Sequence, residues 1–335
     1  MKKIELPRKV IVGDGAISMV KEVANDLRLR GRSLVVSGKN TRNTAGDAVC
    51  QQLGSEIYIV SDSSDDEINA IKDLVKDKEV RYAVAVGGGR VIDTAKVASY
   101  ESEIPFISVP TAASHDGIAS PCSSLGKGTH PNVFHCPMAV IADTTIIKNA
   151  PPRLLASGCA DVISNYTAVL DWKLAYNERL EYYGDYAATL SAMSAEIVMQ
   201  KSAEIRQDVK ILVEALISSG VAIGIAGSSR PSSGSEHMFS HALDRICKKP
   251  ALHGEQCGVG CIMMAYLHQA EWTRVRDALK RVNAPTNAIE LGIPDADIID
   301  ALTVAHTIRD RYTILRNGLS RQDAENLAKN TGVIV

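Results

Sequence analysis

Two patches of this 335-residue chain carry residue types whose spacing suits chemistry. The first is Val84-Ala85-Val86-Gly87-Gly88-Gly89-Arg90-Val91-Ile92-Asp93. An apolar run feeds three glycines, and a helix-forming stretch follows. Glycines let the backbone approach a ligand closely, and a helix N-terminus presents unpaired N–H groups to an anion. A diphosphate suits that geometry, although a tight strand-to-helix turn with no ligand has the same pattern. The spacing is not the GxGxxG fingerprint of the ordinary dinucleotide motif.

The second patch is spread along the chain. Asp161 sits in a helical stretch after Gly158-Cys159-Ala160, His237 and His241 stand four apart on one helix face, and His253 begins the next helical stretch. One carboxylate and two imidazoles with a position left open is the layout of a catalytic zinc or iron site. Two histidines on one helix face also serve as plain polar residues, so spacing alone leaves both readings open. His115, His130, His135, His268 and His306 remain unassigned; His130 and His135 read as the surface of a hairpin.

Two kinds of element must position these residues. Short apolar runs at 34–36, 57–60, 82–86, 105–109 and 139–142 alternate with helical spacing at 43–53, 66–77 and 90–100. Strand and helix alternating at these lengths predict a parallel sheet covered on both faces. Turn residues around 123–128 predict a hairpin over 118–142. Pro151-Pro152 marks a boundary. From 153 onward only helical spacing is found, over 153–174, 184–206, 208–226, 232–247, 254–270, 296–308 and 319–330. The expected organisation is an α/β dinucleotide-binding domain at 1–150 and an all-α metal- and substrate-binding domain at 151–335.

Composition narrows the partners. The net charge is −2, with no long basic run, which argues against nucleic acid. Aromatic residues are 4% of the chain, so the core must be built from Ala, Val, Ile and Leu. No apolar stretch approaches the roughly 20 residues needed to span a bilayer. The first seven residues lack the apolar core of a signal peptide, and the seven cysteines show no paired metal-finger spacing. A cytoplasmic protein with reduced thiols is expected.

The patches together resemble the glycerol dehydrogenase, iron-type alcohol dehydrogenase and dehydroquinate synthase group. The resemblance runs through residues 87–96, Pro110-Thr111-Ala112-Ala113-Ser114-His115-Asp116, Asp161 and the His237/His253 pair. It covers essentially the whole chain and implies a dehydroquinate synthase-like fold. Within the group, residues 110–121, 161–176, 228–244, 252–260 and 313–320 resemble most closely the archaeal-type sn-glycerol-1-phosphate dehydrogenases. That likeness implies reversible, NAD(P)-dependent reduction of dihydroxyacetone phosphate to sn-glycerol 1-phosphate, the backbone of archaeal ether lipids. It also implies a homo-oligomer, between dimer and octamer.

The family pattern gives roles to individual positions. Asp161, His237 and His253 match its metal ligands. The iron-type branch has a fourth ligand, a His, where this chain has Asn165, so zinc is expected, with nickel as the alternative. His241 then lines the substrate pocket and is a candidate proton source. Asp116 matches a position near the substrate hydroxyls, although His115 stands before it where Asn is expected. Gly87, Gly88, Gly89 and Asp93 belong to the cofactor stretch, and Thr111 and Ser114 are expected to touch the cofactor further along. Where NAD-preferring members carry an Asp after the first strand, this chain has Gly38, Lys39 and Asn40. Loss of that carboxylate removes repulsion against a 2′-phosphate, so NADH and NADPH are both expected to serve. A phosphorylated substrate needs a cation. Arg230, in a serine-rich segment where Pro231 suits an early helical position, is the expected grip, with Arg309, Arg311 and Arg316 as competitors. The competing activities are an NAD-dependent glycerol dehydrogenase, a dehydroquinate-synthase-like lyase and a silent nucleotide binder.

Overall fold

In the computed structural model, which describes residues 4–123, 125 and 134–335, the chain divides into two units. One is Met1–Pro152 with Ile223–Gly227; the other is Arg153–Ala222 with Ser228–Val335. Helices of ten residues or more are numbered below in chain order.

The first unit is built on a six-stranded sheet. Its strands are β1 (Lys9–Gly13), β2 (Arg32–Gly38), β3 (Glu56–Val60), β4 (Val80–Gly87), β5 (Phe106–Pro110) and β6 (Ala139–Asp143). They lie in the order β1-β6-β5-β4-β2-β3, and every pairing is parallel. The central strands are apolar along their length because both faces are covered; β6 is buried at every residue. Val35, Val84, Val86, Ile107, Val109 and Ile141 share one core with Val20, Val23 and Val49 from the covering helices. From β2 the chain moves outward to β3, returns to β4 on the other side of β2, and continues outward to β5 and β6. That reversal between β2 and β4 is where open α/β sheets bind ligands, beyond the carboxyl ends of the strands.

Two helices of this unit are α1 (Asp65–Asp77) and α2 (Gly89–Glu101). Ser64 caps α1 by accepting the Glu67 N–H, and three acidic residues in the first turn complement the helix dipole. In α2 the Lys96 side chain is fully buried. Its ammonium bonds Asp93 at 3.0 Å and the carbonyls of Gly117 at 2.9 Å and Cys122 at 2.6 Å. One cation thereby fixes the loop after β5 onto α2.

The second unit is helical, built from α3 (Pro152–Arg179), α4 (Asp185–Gln200), α5 (Lys210–Ala226), α6 (Ser235–Ile246), α7 (His253–Leu267), α8 (Trp272–Arg281), α9 (Asp295–Val304) and α10 (Arg321–Asn330), apart from Pro152 and the residues of α5 from Ile223 onward, which belong to the first unit. The structure adds β1 and α8 to the elements expected from sequence. β1 has only three apolar residues and its partner β6 lies 130 positions away in the register Lys9↔Ala139. The turn of the expected hairpin lies mostly outside the described residues, as does His130. What is described there is a 3-10 turn at Asp116–Ile118 and β6, which pairs in parallel with β5 and β1. His135 is not a surface residue: it is half-buried against Tyr100 and Phe106, and burial lowers its pKa.

Lys96→Met leaves Asp93 and two buried carbonyls without their cation. A loss of about 3–5 kcal/mol of stability is expected, read by chemical denaturation, because breaking a buried pair strands the other charge. A loss below 1 kcal/mol would mean that the loop is held by other contacts.

Candidate functional site

Asp161, His237 and His253 come from three different helices, and the structure brings them together. Asp161 is on α3, His237 on α6, and His253 is the first residue of α7. Asp161 Oδ1 lies 3.8 Å from His237 Nε2 and 3.8 Å from His253 Nε2. Cys257, one helical turn after His253, has its Sγ 3.6 Å from His253 Nε2. One ligand atom from each of the four residues lies within 4.8 Å of the others.

Close helix approach makes this possible. A Cβ on Gly254 would stand 2.0 Å from the Ser157 carbonyl oxygen, and one on Gly258 would stand 2.9 Å from the Ala160 Cβ. Glycine at both positions lets α7 lie directly on the turn of α3 that carries Asp161. Two polar clamps hold the start of α7. Glu255 accepts the Leu252 N–H at 3.1 Å and takes the Arg153 guanidinium through both oxygens, at 2.6 and 2.7 Å. Gln256 donates to the Ser240 carbonyl, the Ser240 hydroxyl and Asp244, which fastens α7 to α6.

The imidazoles are aimed from behind. His237 Nδ1 is 2.9 Å from Glu236 Oε1, and His253 Nδ1 is 3.2 Å from the Ser240 hydroxyl. In both rings Nδ1 is engaged and Nε2 faces Asp161. Outer-shell bonds of this kind fix the tautomer and orientation of metal-ligating histidines. Glu236 is itself fully buried; it also accepts the Gly234 N–H at 2.6 Å and the Thr167 hydroxyl at 2.8 Å. Burial, then the neighbouring Asp171 carboxylate, raises its pKa. Burial, followed by His241, Arg309 and Arg311, holds His237 well below the imidazole range, so it is neutral and available as a ligand. A carboxylate, two imidazoles presenting Nε2 and an adjacent thiol fit a divalent first-row cation.

His241 borders this set, its ring centre 6.5 Å from that of His237 and 5.6 Å from that of His253. Its Nε2 lies 3.0 Å from an Arg309 Nη2. Arginine can only donate, so Nε2 accepts and the His241 proton sits on Nδ1, 3.5 Å from Asp244. Asn165 is buried and its side-chain amide donates to the Ser219 hydroxyl at 3.0 Å. Arg230 corrects the expectation from sequence. It is 8% exposed, paired with Glu181, and donates to the Tyr312 carbonyl at 2.8 Å. Pro231 does not open the helix either, because α6 begins at Ser235.

The cofactor candidates lie in the first unit, beyond the carboxyl ends of neighbouring strands. β2 ends at Gly38 and β4 at Gly87, and Gly87 pairs with Pro110 of β5. The Thr111 N–H donates to the Gly87 carbonyl at 3.0 Å, tying the loop that carries Thr111 and Ser114 to the glycines. Gly87 is required by packing, since a Cβ there would stand 2.7 Å from the Val91 Cβ. Gly88 caps α2, and a Cβ there would meet no protein atom within 4 Å. That open face above a helix N-terminus is what an approaching diphosphate needs. Lys39 and Asn40 start a short helical turn and are exposed. Asp93 does not line this face: it is buried in the Lys96 pair. Asp116 heads the 3-10 turn, preceded by His115, whose Nδ1 accepts the Gly117 N–H and whose ring fills the space beside Gly89.

Sequence reading missed Glu236, Ser240, Asp171 and Cys257. Cys257 had a signal, standing four residues after His253 on one helix face. Two outcomes test the geometry. Glu236→Ala is expected to weaken metal binding 10- to 100-fold in a chelator-competition titration, and Glu236→Gln, which still accepts from His237, to keep most of it. Gly254→Ala, forced against the Ser157 carbonyl, is expected to lose metal and cost about 1–3 kcal/mol of stability in a thermal melt. Wild-type metal affinity in either Ala variant would contradict the assigned contacts.

Comparison with known proteins places the chain. A family model described as iron-containing alcohol dehydrogenase matches residues 11–151. The chain is 53% identical over 345 residues to a protein of Methanosarcina mazei named glycerol-1-phosphate dehydrogenase (NAD(P)+), covering 99% of this chain and 97% of that one. It is 52% identical over 346 residues to a Pyrococcus furiosus protein of the same name, covering 100% of each. The crystal structure of glycerol dehydrogenase from Schizosaccharomyces pombe superposes with a TM-score of 0.82 at 17% identity, covering 99% of this chain and 90% of that one, a likeness of fold. At half identity along nearly the whole of both chains, this chain belongs to the glycerol-1-phosphate dehydrogenase family.

Proposed function

We propose that the protein is an NAD(P)-dependent, metal-containing dehydrogenase that interconverts dihydroxyacetone phosphate and sn-glycerol 1-phosphate. The observation that carries this reading is the convergence of Asp161, His237 and His253 with both Nε2 atoms facing the carboxylate, in a chain half identical to relatives of that name. Those relatives also argue against the glycerol dehydrogenase, lyase and silent-binder alternatives.

Asp161, His237 and His253 hold the metal in this reading, and zinc is favoured. The iron branch's fourth histidine is Asn165 here, whose amide is occupied by Ser219. A thiol at Cys257 next to the ligand set also suits a softer ion. When bound, the metal supplies Lewis acidity at a ketone oxygen, and the nicotinamide supplies or takes a hydride. The chain's own residues do the rest. Glu236 and Ser240 keep the two imidazoles turned. His241, whose ring borders the ligand set, is the candidate to exchange a proton with the reacting hydroxyl, directly or through water. Asp116 is kept as the contact to the substrate hydroxyls by the family pattern.

Gly87, Gly88, Gly89 and the N-terminus of α2 hold the cofactor diphosphate, with Thr111 and Ser114 beside them. Gly38, Lys39 and Asn40 present no carboxylate to the adenosine ribose, which supports acceptance of both NADH and NADPH. A cytoplasmic homo-oligomer completes the reading; no helix among the described residues is long and apolar enough to cross a membrane.

The decisive experiment is oxidation of sn-glycerol 1-phosphate, sn-glycerol 3-phosphate and glycerol by the metal-loaded protein, with NAD+ and NADP+ in turn and the metal identified by elemental analysis. Preference for sn-glycerol 1-phosphate is expected, with zinc bound; nickel would correct the metal alone, and preference for glycerol would overturn the substrate. Gly88→Ala is expected to leave thermal stability within about 1 kcal/mol of wild type. It should weaken NADPH binding at least tenfold by calorimetry, because the added methyl enters only the space given to the diphosphate.

A further inference from the structure

The loop between α9 and α10 brings two arginines to the edge of the metal-ligand cluster. Arg309 reaches the Ser233 hydroxyl at 3.3 Å with one terminal nitrogen and His241 Nε2 at 3.0 Å with the other. Arg311 donates to the Ser233 carbonyl and, at 2.8 Å, to the Ser229 hydroxyl. Both guanidinium groups are therefore gathered on residues 229–233, beside an imidazole that borders His237 and His253. Their positive charge bears on His237 itself.

The loop is held from the far side, by different residues. The Ile314 N–H donates to Asp171 Oδ1 at 2.7 Å. Asp171 is fully buried, and it also takes the Ser235 N–H at 2.7 Å, the Ser235 hydroxyl at 2.5 Å and His268 at 3.0 Å. One carboxylate thus locks the loop to the first residue of α6. Arg230 grips the Tyr312 carbonyl and Glu181, and Arg316 pairs with Glu178. Asp171 and Arg230 thus hold the backbone of the loop, and the side chains of Arg309 and Arg311 are set against residues 229–233.

We infer that Arg309 and Arg311, with the hydroxyls of Ser229 and Ser233, form the site that holds the phosphate of a three-carbon phosphomonoester substrate. The chemistry matches: two guanidinium forks offer a dianion several charge-assisted bonds in planes that suit phosphate oxygens. The spacing matches too, since four covalent bonds separate the reacting oxygen on C2 from phosphorus, and one imidazole, His241, separates Arg309 from the ligand histidines. The inference rests on the glycerol-1-phosphate reading of the same site.

The test compares Arg309→Met, Arg311→Met and the corresponding Lys variants with wild type, with Arg316→Met as the control on the loop's outer face. Each is loaded with metal, its metal content is measured, and KM and kcat are determined for sn-glycerol 1-phosphate. Affinity for inorganic phosphate is measured separately by calorimetry. Each Met variant is expected to raise KM roughly 10- to 100-fold, the loss typical of a hydrogen bond to a charged group. Phosphate affinity should fall in parallel and metal content stay unchanged, with partial recovery in the Lys variants and no change in Arg316→Met. KM and phosphate affinity within twofold of wild type in all four variants at Arg309 and Arg311 would overturn the inference, as would an equal loss in Arg316→Met. Wild-type preference for glycerol would instead remove the functional reading on which it stands.

Discussion

The second unit depends on how closely α7 can lie on α3. Side chains normally keep helix axes 8–10 Å apart. Here Gly254 faces the Ser157 backbone and Gly258 faces Ala160, so nothing bulkier than hydrogen intervenes on the α7 side. The consequence is chemical as well as structural. His253 and Cys257 project from the same part of α7, and Asp161 follows Ala160 on α3, so the seam that removes side chains from the contact also brings the ligand atoms within reach of one another. A larger residue in that seam would separate them before it affected either helix alone.

Close approach brings polar groups into a dry interior, and the structure satisfies them with two buried carboxylates. Glu236 takes the Gly234 N–H, the Thr167 hydroxyl and His237 Nδ1. Asp171 takes the first N–H of α6 and the loop that carries Arg309 and Arg311. Both sit at the start of α6, where the helix dipole favours negative charge. Together they set the angle of the imidazole and the position of the arginines from one small region. The first unit uses the opposite arrangement for the same purpose: one buried cation, Lys96, collects Asp93 and two carbonyls and so fixes the loop beside the three glycines.

Much of this was legible in the residues themselves. Alternating apolar runs and helical spacing specify a parallel α/β layer and then a helical region, because the side-chain periods of strand and helix differ. Three glycines between a buried strand and a helix mark a tight turn that leaves the backbone open to close approach at a helix N-terminus. Asp161, His237 and His253 stand out by chemical type. β1 escaped because a short edge strand carries little apolar signal and is recognised only through a partner far along the chain.

Tertiary structure decided what type and spacing leave open. Which partner each arginine meets depends on where the helices and loops fall in space. Glu181 claims Arg230 and Glu178 claims Arg316, while Arg309 meets His241, and none of these pairs is close in sequence. Asp93 looked like part of the cradle because it is near it in the chain, yet its side chain turns inward to Lys96. Glu236 supports His237 only because the fold buries it behind that imidazole. The sequence by itself determined the kinds of chemistry available and the elements that carry them, since both follow from local residue properties. The pairing of charges came only from the three-dimensional arrangement, because ion pairing depends on distance through space and not along the chain.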